Sequence, residues 1–238
     1  MFEVKLLNNH DSRLMQLVIE AAVRRNFELS LGLAKIEGVR QNEAELSELS
    51  KTIAEVEAEM KRSYSLEAVK EIQKLRAQRD FFWRMDIDPT KVRPASEALL
   101  RRILQDKGLP RVSPIVDAYN LASVKTLLTF SAFDLARIEP PLSVRFSHEG
   151  EEVRLIGNRR KRLGDREMVL TDSSKILCVY AHGDVEETKV TDFTTDLLLV
   201  AYGIPGIATE DLKEGLRVAS NYITRFAGGE VVLVEVYE

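Results

Sequence analysis

Two short stretches decide the fold of this chain: PIVDAYN at residues 114–120 and SAFD at residues 131–134. The residues between them, LASVKTLLTF, are mainly apolar and have the composition of a buried helix followed by a buried segment. Asp117 and Asn120 stand just before the apolar run, where short polar side chains cap helices. They therefore admit two interpretations, caps of a helix that starts near Leu121 or groups that face a site.

Upstream of this stretch the sequence RPASEALL at residues 93–100 opens a helix. Its apolar residues recur at helical spacing and predict a helix from Ala95 to Lys107. Gly108 and Pro110 follow directly, and both residue types commonly end helices.

The first part of the chain, residues 1–92, has a different texture and ends at Asp88-Pro89, where a proline disfavours helix in the residue before it. Its two charged helices have one apolar face each, which predicts an amphipathic pair packed on the core, with a coiled-coil partner as the alternative. We expect residues 93–238 to form the main core. The elements expected in the first part are a helix over 14–25, a strand over 31–36, a helix within 43–60 and a helix after Ser65.

Downstream of residue 134 the chain changes to short strands and turns. Thr209 offers an N-cap for one further helix, with Glu210 and Asp211 suited to the helix dipole. Strands and helices alternate without regular βαβ spacing, which predicts a mixed α/β (α+β) fold with an N-terminal helical extension. The strands are expected at 142–146, 153–155, 168–170, 176–180, 197–202 and 231–236.

Composition excludes several classes of function. Net charge is −4, so the chain as a whole is not a polyanion-binding basic protein. The single cysteine, Cys178, and three histidines far apart in sequence argue against disulfides and metal sites, and we expect no metal and no cofactor. Dinucleotide and P-loop signatures are missing, as are a membrane-length apolar run and a secretion signal, and we expect a cytoplasmic protein.

The segment from Arg93 to Val200 resembles the B3/B4 domain of the phenylalanyl-tRNA synthetase beta subunit. That family carries Asp-x-x-Asn followed, after an apolar helix, by Gly-Gln-Pro-x-His-Ala-Phe-Asp. Asp117 and Asn120 match the start, and residues 132–134 match the end, with no gap between them. The opening residues 93–100 are more similar to stand-alone relatives of this domain. The aminoacylation motifs of the synthetase are missing, so we do not expect the chain to make aminoacyl-tRNA by itself.

The resemblance implies a function in translation quality control. In the synthetase this domain hydrolyses tRNA charged with the wrong amino acid, chiefly tyrosine. An aminoacyl ester is already activated, so a site that positions the ester, a water and donors to the oxyanion needs no strong base. We therefore expect a tRNA-binding protein that recognises the aminoacylated 3′ end and hydrolyses mischarged aminoacyl-tRNA. A non-catalytic module for tRNA or an amino acid is the alternative, and a scaffold that uses the N-terminal helices is a third.

The family motif also differs from this sequence. The family His before Ala-Phe-Asp is Ser131 here, and the Gly-rich stretch is represented only by residues 181–184. His182 could replace the lost imidazole, and an ordinary surface-loop histidine is the alternative. The resemblance implies a pocket between residues 117–134 and 183–194. It implies catalytic roles for Asn120, Ser131 and Thr188, and substrate binding by Asp117, Asp134, His182, Gly183, Glu186 and Thr191.

Four consecutive basic residues, Arg159, Arg160, Lys161 and Arg162, follow the turn at Gly157-Asn158. Their position predicts an exposed hairpin tip. Such a density of positive charge is suited to phosphate contacts, and the cluster is the candidate RNA-binding surface, with an ordinary solvated surface as the alternative.

Overall fold

The computed structural model describes residues 16–40 and 45–238. A four-stranded antiparallel sheet has the strand order β11–β2–β10–β3. Its strand β10, LLLVAYG, is almost entirely buried, which explains its unbroken apolar sequence. The strands are β2 (Ser30–Glu37), β3 (Phe130–Asp134), β10 (Leu197–Gly203) and β11 (Glu230–Tyr237).

A five-stranded sheet has the order β1–β4–β7–β8–β9, with β1 and β4 parallel and the other neighbours antiparallel. A separate hairpin pairs β5 with β6. The five strands are β1 (Leu17–Ile19), β4 (Leu142–Phe146), β7 (Met168–Thr171), β8 (Ile176–Val179) and β9 (Gly183–Asp184), and the hairpin strands are β5 (Glu152–Leu155) and β6 (Arg159–Arg162).

The helices pack in layers on the four-stranded sheet. Helix α6 lies on β2, β10 and β11, α5 packs on α6, and α2 and α4 pack on α5. Gly32 permits the close approach of α6, since a Cβ there would lie 2.8 Å from Leu216 Cδ1. The helices are α1 (Ala21–Arg24), α2 (Leu46–Ser63), α3 (Gln73–Arg84), α4 (Ala95–Leu104), α5 (Pro114–Thr126) and α6 (Thr209–Ala227).

The mixed α/β fold predicted from the sequence is confirmed. Helix α2 is amphipathic, with Leu49, Ile53 and Val56 buried, and α4 and α5 cover its apolar face. The packed-helix interpretation therefore holds for α2. Strand β2 lies in the interior of the four-stranded sheet, so the N-terminal part also contributes a strand to the core. A domain boundary between residues 92 and 93 stays a prediction.

The helix predicted over residues 14–25 is wrong within the described residues. Residues 17–19 form strand β1, in which Leu17 and Ile19 are buried and Val18 is exposed, and only 21–24 are helical. Over so short a run the apolar residues fit both the helical period and the two-residue period of a strand, and pairing with β4 stabilises the strand. The first part of the expected 43–60 helix lies outside the described residues, and the helix expected after Ser65 begins only at Gln73, after a 3₁₀ turn.

Three local predictions are also corrected. Helix α5 begins at Pro114 with Ser113 as its N-cap, so Asp117 and Asn120 do not cap a helix starting near Leu121. Thr209 is the first residue of α6, and Asp211 accepts a hydrogen bond from the Ala208 backbone N–H. Residues 159–162 are not the hairpin tip but its second strand, β6.

Within the described residues no helix is both long and apolar enough to cross a membrane. The same residues contain no group of three or more His, Cys, Asp or Glu side chains arranged to hold a metal ion.

Candidate functional site

A pocket of about 260 Å³ lies where α3, β3, β10 and the β8–β9 turn meet. Ser131 from β3, Tyr202 from β10 and Asp184 from β9 line it together. The antiparallel pairing of β3 with β10 brings Ser131 opposite Val200, and the β8–β9 turn then carries Asp184 over the same edge. Three segments that are distant in sequence thus supply one polar cluster.

Side-chain hydrogen bonds connect this cluster. Tyr202 Oη donates to Ser131 Oγ at 3.0 Å, and Ser131 Oγ donates to Asp184 Oδ1 at 2.7 Å. The hydrogen of each hydroxyl therefore points along the chain toward the carboxylate of Asp184. A chain of this kind fixes the orientation of all three side chains before any ligand arrives.

Asp184 carries the unusual electrostatics of the pocket. Burial raises the pKa of its carboxyl to about 6, although the hydrogen bond from Ser131 acts in the opposite direction. The residue as a whole is only half-buried, because one side of it faces the pocket. Asp184 forms no ion pair among the described residues, although Arg93 also lines the pocket, so a positively charged ligand group would be a favourable neighbour of the carboxylate.

Two further side chains on β8 and the turn after it complete the floor. Tyr180 lines the pocket, and its buried hydroxyl has no hydrogen-bond partner among the described residues. Such a group costs free energy unless a ligand or water satisfies it. Cys178 lines the same pocket, and burial together with the charge of Asp184 raises the pKa of its thiol well above the usual value. The thiol is therefore protonated near neutral pH and is a poor nucleophile.

Helix α3 supplies the opposite wall through Gln78. Its buried amide nitrogen donates to the Leu127 carbonyl at 2.9 Å, and its oxygen accepts from Ser96 and from Thr129, each at 2.9 Å. This wall is fully hydrogen-bonded and serves as a rigid support. Phe81 and Phe82 on the same helix add apolar surface to the pocket.

The rim of the pocket contains His182 and Gly183. Burial, with a contribution from Lys161, lowers the pKa of His182, so its imidazole is neutral near pH 7. Gly183 has φ +115, a conformation that favours glycine. Arg159 reaches the same rim and donates to the His182 carbonyl at 3.4 Å.

Of the residues implied by the resemblance, Ser131, His182 and Gly183 come together at this pocket. Asp117 does not line it: its carboxylate pairs with Arg111 Nε at 2.7 Å and accepts from the Val112 backbone N–H at 2.8 Å. Asp134 likewise bonds within the fold, accepting from the Ala136 backbone N–H at 3.0 Å and from Thr194 Oγ1 at 3.0 Å.

The remaining implied residues lie elsewhere in the described chain. Asn120 is half-buried on α5 and does not line the pocket. Glu186 pairs with Lys189 and accepts from the Gly157 backbone N–H at 3.2 Å. Thr188 is completely buried with an unpartnered hydroxyl, and Thr191 stabilises its own turn. Functional roles for these residues stay predictions.

The basic strand β6 runs beside the pocket rim. Arg160 and Arg162 are exposed, whereas Lys161 is half-buried and pairs with Glu167 at 3.0 Å. Together with Arg159 at the His182 carbonyl, these residues form a positively charged edge next to the pocket. RNA binding by this edge stays a prediction.

Sequence reasoning missed Asp184, Tyr202, Tyr180 and Gln78. Asp184 directly follows Gly183, and a carboxylate beside a turn glycine was the one available signal. Tyr202 ends an apolar strand and Gln78 lies within a charged helix, so neither stands out from its neighbours in the sequence.

Comparison with known proteins adds independent information. The family model described as the B3/4 domain matches residues 77–230, more than half of the chain. The chain is 31% identical over 96 residues to the phenylalanine–tRNA ligase beta subunit of Pseudoalteromonas translucida, covering 40% of this chain and 12% of that protein. It is 33% identical over 132 residues to the same subunit of Nitrosospira multiformis, and this match covers 53% of this chain and 16% of that protein.

Among solved structures, an N-terminal fragment of the phenylalanyl-tRNA synthetase beta subunit from Pyrococcus horikoshii matches with a TM-score of 0.52 at 13% identity. The match covers 100% of this chain and 56% of that one. At this identity the likeness shows the fold alone. The aligned region spans only a small part of the length of the curated relatives, 12% to 16% in the two cases above.

Proposed function

The chain belongs to the B3/4 domain family, and from that premise we propose that its pocket binds the aminoacylated 3′ end of a mischarged tRNA and hydrolyses the ester. The observation that carries the proposal is the carboxylate of Asp184 in the pocket. Among the described residues that line the pocket, Asp184 is the only one with a carboxylate side chain. An aminoacyl ester carries a free α-ammonium group, and a carboxylate without a cationic partner is suited to bind it.

The pocket size supports the same ligand. A cavity of about 260 Å³ accommodates an amino-acid side chain and its ester but not a folded polynucleotide. The apolar walls from Phe81 and Phe82 favour an apolar or aromatic side chain, and the unpartnered hydroxyl of Tyr180 offers one polar contact. Binding at this depth would exclude most bulk water from the ester.

In the proposed reaction a water attacks the ester carbonyl carbon. The bond from that carbon to the ribose oxygen breaks, and the ribose oxygen receives a proton. His182 lines the rim with a neutral imidazole near pH 7 and is the candidate to accept the proton of the water and return it to the ribose. Backbone N–H groups around Gly183 are the candidate donors to the oxyanion.

Strand β6 supplies the proposed contact with the body of the RNA. Arg159 lies at the rim, and Arg160 and Arg162 project from the same exposed strand. Cations spaced along an extended strand can follow a phosphate backbone. We expect Arg160→Ala with Arg162→Ala to weaken tRNA binding and to flatten its salt dependence.

A deacylation screen with a panel of mischarged tRNAs tests the proposal. We expect at least one mischarged species to lose its amino acid faster with the wild-type chain, and Asp184→Asn to slow that loss by at least tenfold. Asp80→Asn is the matched control, because Asp80 is an exposed carboxylate of α3 that does not line the pocket.

If no charged tRNA is hydrolysed, the catalytic part of the proposal is wrong. Binding measurements with a non-hydrolysable aminoacyl-amide analogue then decide the rest. Affinity that depends on Asp184 favours the non-catalytic binding module, whereas affinity equal in wild type and Asp184→Asn removes the pocket from the function altogether.

A further inference from the structure

A second, wider cleft of about 840 Å³ adjoins the pocket, and Tyr180 and His182 line both. Its walls come from the segment after α1, the end of α3, strand β4 and the loop before β7. The N-terminal part of the chain thus forms one side of the cleft and the central part forms the other.

A row of four side chains, two arginines and two phenylalanines in contact, crosses this cleft. The Arg84 guanidinium lies 5.6 Å from the centroid of the Phe27 ring, and the Arg166 guanidinium lies 5.4 Å from that of Phe146. The two rings pack edge to face with centroids 6.2 Å apart. The order is therefore Arg84–Phe27–Phe146–Arg166, with a cation at each end.

Both guanidiniums lie over an aromatic ring and retain N–H donors for a ligand. Arg84 uses one nitrogen to donate to the Asn26 carbonyl at 3.1 Å, and in the parts of the chain that the structure describes neither guanidinium forms an ion pair with a carboxylate. Lys161, by contrast, lines the same cleft and is paired with Glu167. Stacking on an aromatic ring reduces the freedom of an arginine and leaves its N–H edge available for a phosphate.

We propose that the two guanidiniums at the ends of the Arg84–Phe27–Phe146–Arg166 row contact separate phosphates of the ligand whose acyl group occupies the pocket, namely phosphates esterified to the terminal nucleosides of RNA. The inference rests on the proposed function, since it extends the same ligand out of the pocket past Tyr180 and His182. Asp86 and Asp165 also line the cleft, so its overall charge is not strongly positive. Recognition then depends on the two oriented guanidiniums rather than on a diffuse positive field.

Binding of uncharged RNA tests this row separately from hydrolysis. The probe is a fluorescent single-stranded RNA of twelve nucleotides that ends in CCA, and binding is followed by anisotropy from 50 to 300 mM salt. We expect Arg84→Gln with Arg166→Gln to raise the Kd at least tenfold and to reduce the slope of log Kd against log salt by about 0.7 for each lost phosphate contact.

Arg225→Gln is the matched control. Arg225 is an exposed arginine stacked on Phe226 at 4.9 Å, but it is paired with Glu48 and lies on α6 outside the cleft. We expect this variant to bind the RNA within twofold of wild type. Melting temperatures of all variants establish that they are folded.

Competition by AMP distinguishes the two sources of the phosphate. If AMP displaces the RNA from wild type but binds the double variant at least tenfold more weakly, the row binds the phosphate of the terminal nucleotide. If AMP does not compete but the double variant still binds the RNA more weakly than wild type, the row binds a phosphodiester further along the strand. A double variant with wild-type affinity and salt slope, or a wild-type chain that binds neither probe, overturns the inference.

Failure here is distinguishable from failure of the proposed function. The two experiments test different residues: binding of uncharged RNA tests Arg84 and Arg166, whereas hydrolysis of mischarged tRNA tests Asp184. If mischarged tRNA is hydrolysed but the double arginine variant binds RNA like wild type, only the proposed phosphate site is wrong. Arginine-dependent RNA binding without hydrolysis refutes the catalytic proposal alone.

Discussion

Two aspartates, one in the helical layer and one at the pocket, show how the same side chain serves two different purposes. Asp117, in the first turn of α5, is 4% exposed and has both a guanidinium and a backbone N–H as partners. Asp184 accepts hydrogen bonds from the Ser131 hydroxyl and the Cys178 thiol and forms no ion pair among the described residues. The carboxylate of Asp117 is stabilised by the fold, whereas that of Asp184 can still accept a hydrogen bond from a ligand.

This difference identifies the more promising binding group by its partners rather than by its motif. Asp117 matches a family motif, yet its bonding capacity is used for the loop between α4 and α5. Asp184 matches no motif, yet burial has raised its pKa to about 6. Perturbed carboxyl groups in a cavity are candidates for function because their cost to stability is retained for some other reason.

The largest expected effect separates the two residues by stability. We expect Asp117→Asn to lower the free energy of unfolding by about 2–4 kcal/mol at pH 7.5, because it removes the charge that compensates Arg111 and turns one of the two accepting oxygens into a donor. Asp184→Asn should leave that free energy unchanged or raise it, since it removes a poorly solvated charge. Urea denaturation followed by circular dichroism measures both.

The comparison between the two aspartates breaks if Asp184→Asn is as damaging as Asp117→Asn. That result would make Asp184 a structural carboxylate and remove the basis of the proposed ammonium site. Asp80→Asn, on the surface of α3, gives the baseline for loss of an exposed carboxylate and should shift the free energy by less than about 0.5 kcal/mol.

A second, smaller effect is the pH dependence that Asp184 imposes on stability. The pKa of Asp184 is about 6 in the folded chain and near the ordinary 3.8 of an aspartate in the unfolded chain, so between these values the folded state holds a proton that the unfolded state has lost. The free energy of unfolding contributed by this group therefore falls as pH rises from about 4 to about 6 and is constant above. We expect the advantage of Asp184→Asn over wild type to grow across that window by on the order of 2 kcal/mol.

Denaturation curves at several pH values between 4 and 8 measure this difference. The difference between variant and wild type, rather than either value alone, isolates Asp184 from the other titrating groups. A difference that is constant with pH would mean that the carboxyl has an ordinary pKa in the folded chain.

The same comparison shows what a sequence can and cannot reveal about this protein. Helix α4 was predictable because its apolar residues repeat with a clear period, and strand β10 because it is a continuous apolar run of the length of a buried strand. The mixed α/β fold followed from elements of these two kinds. Strand β1 was not predictable, because three residues pair with β4 only through a contact more than a hundred positions away. Local pattern cannot supply such a partner.

The residues of the pocket were predictable only in part. Ser131, His182 and Gly183 were implied by the family resemblance, and the structure brings them to one cavity, although their roles stay predictions. Tyr202 and Gln78 acquire their roles only when β10 and α3 pack against β3. A pKa such as that of Asp184 depends on its three-dimensional surroundings and has no counterpart in the sequence.

A third prediction compares the two tyrosines of the pocket. Tyr202→Phe removes the donor to Ser131 and should cost about 1 kcal/mol of unfolding free energy. Tyr180→Phe removes a buried hydroxyl that has no partner among the described residues, so we expect no loss and a gain of up to about 1 kcal/mol. Thermal or urea unfolding of both variants checks this, and a larger loss for Tyr180→Phe would reveal a bonded hydroxyl.

The smallest expected effect concerns Thr188, which the family resemblance implies as a catalytic residue. Its side chain is fully buried, its hydroxyl is unpartnered in the described structure, and it does not line the pocket. Thr188→Val keeps the shape and removes the hydroxyl, so the free energy of unfolding should stay within about 0.5 kcal/mol of wild type or rise slightly. Because of this small structural cost, ester hydrolysis becomes a clean test of the implied role. A hydrolysis rate equal to that of wild type would remove Thr188 from the site, whereas a tenfold loss in a variant of normal stability would mean that the hydroxyl reaches the ligand after a rearrangement on binding.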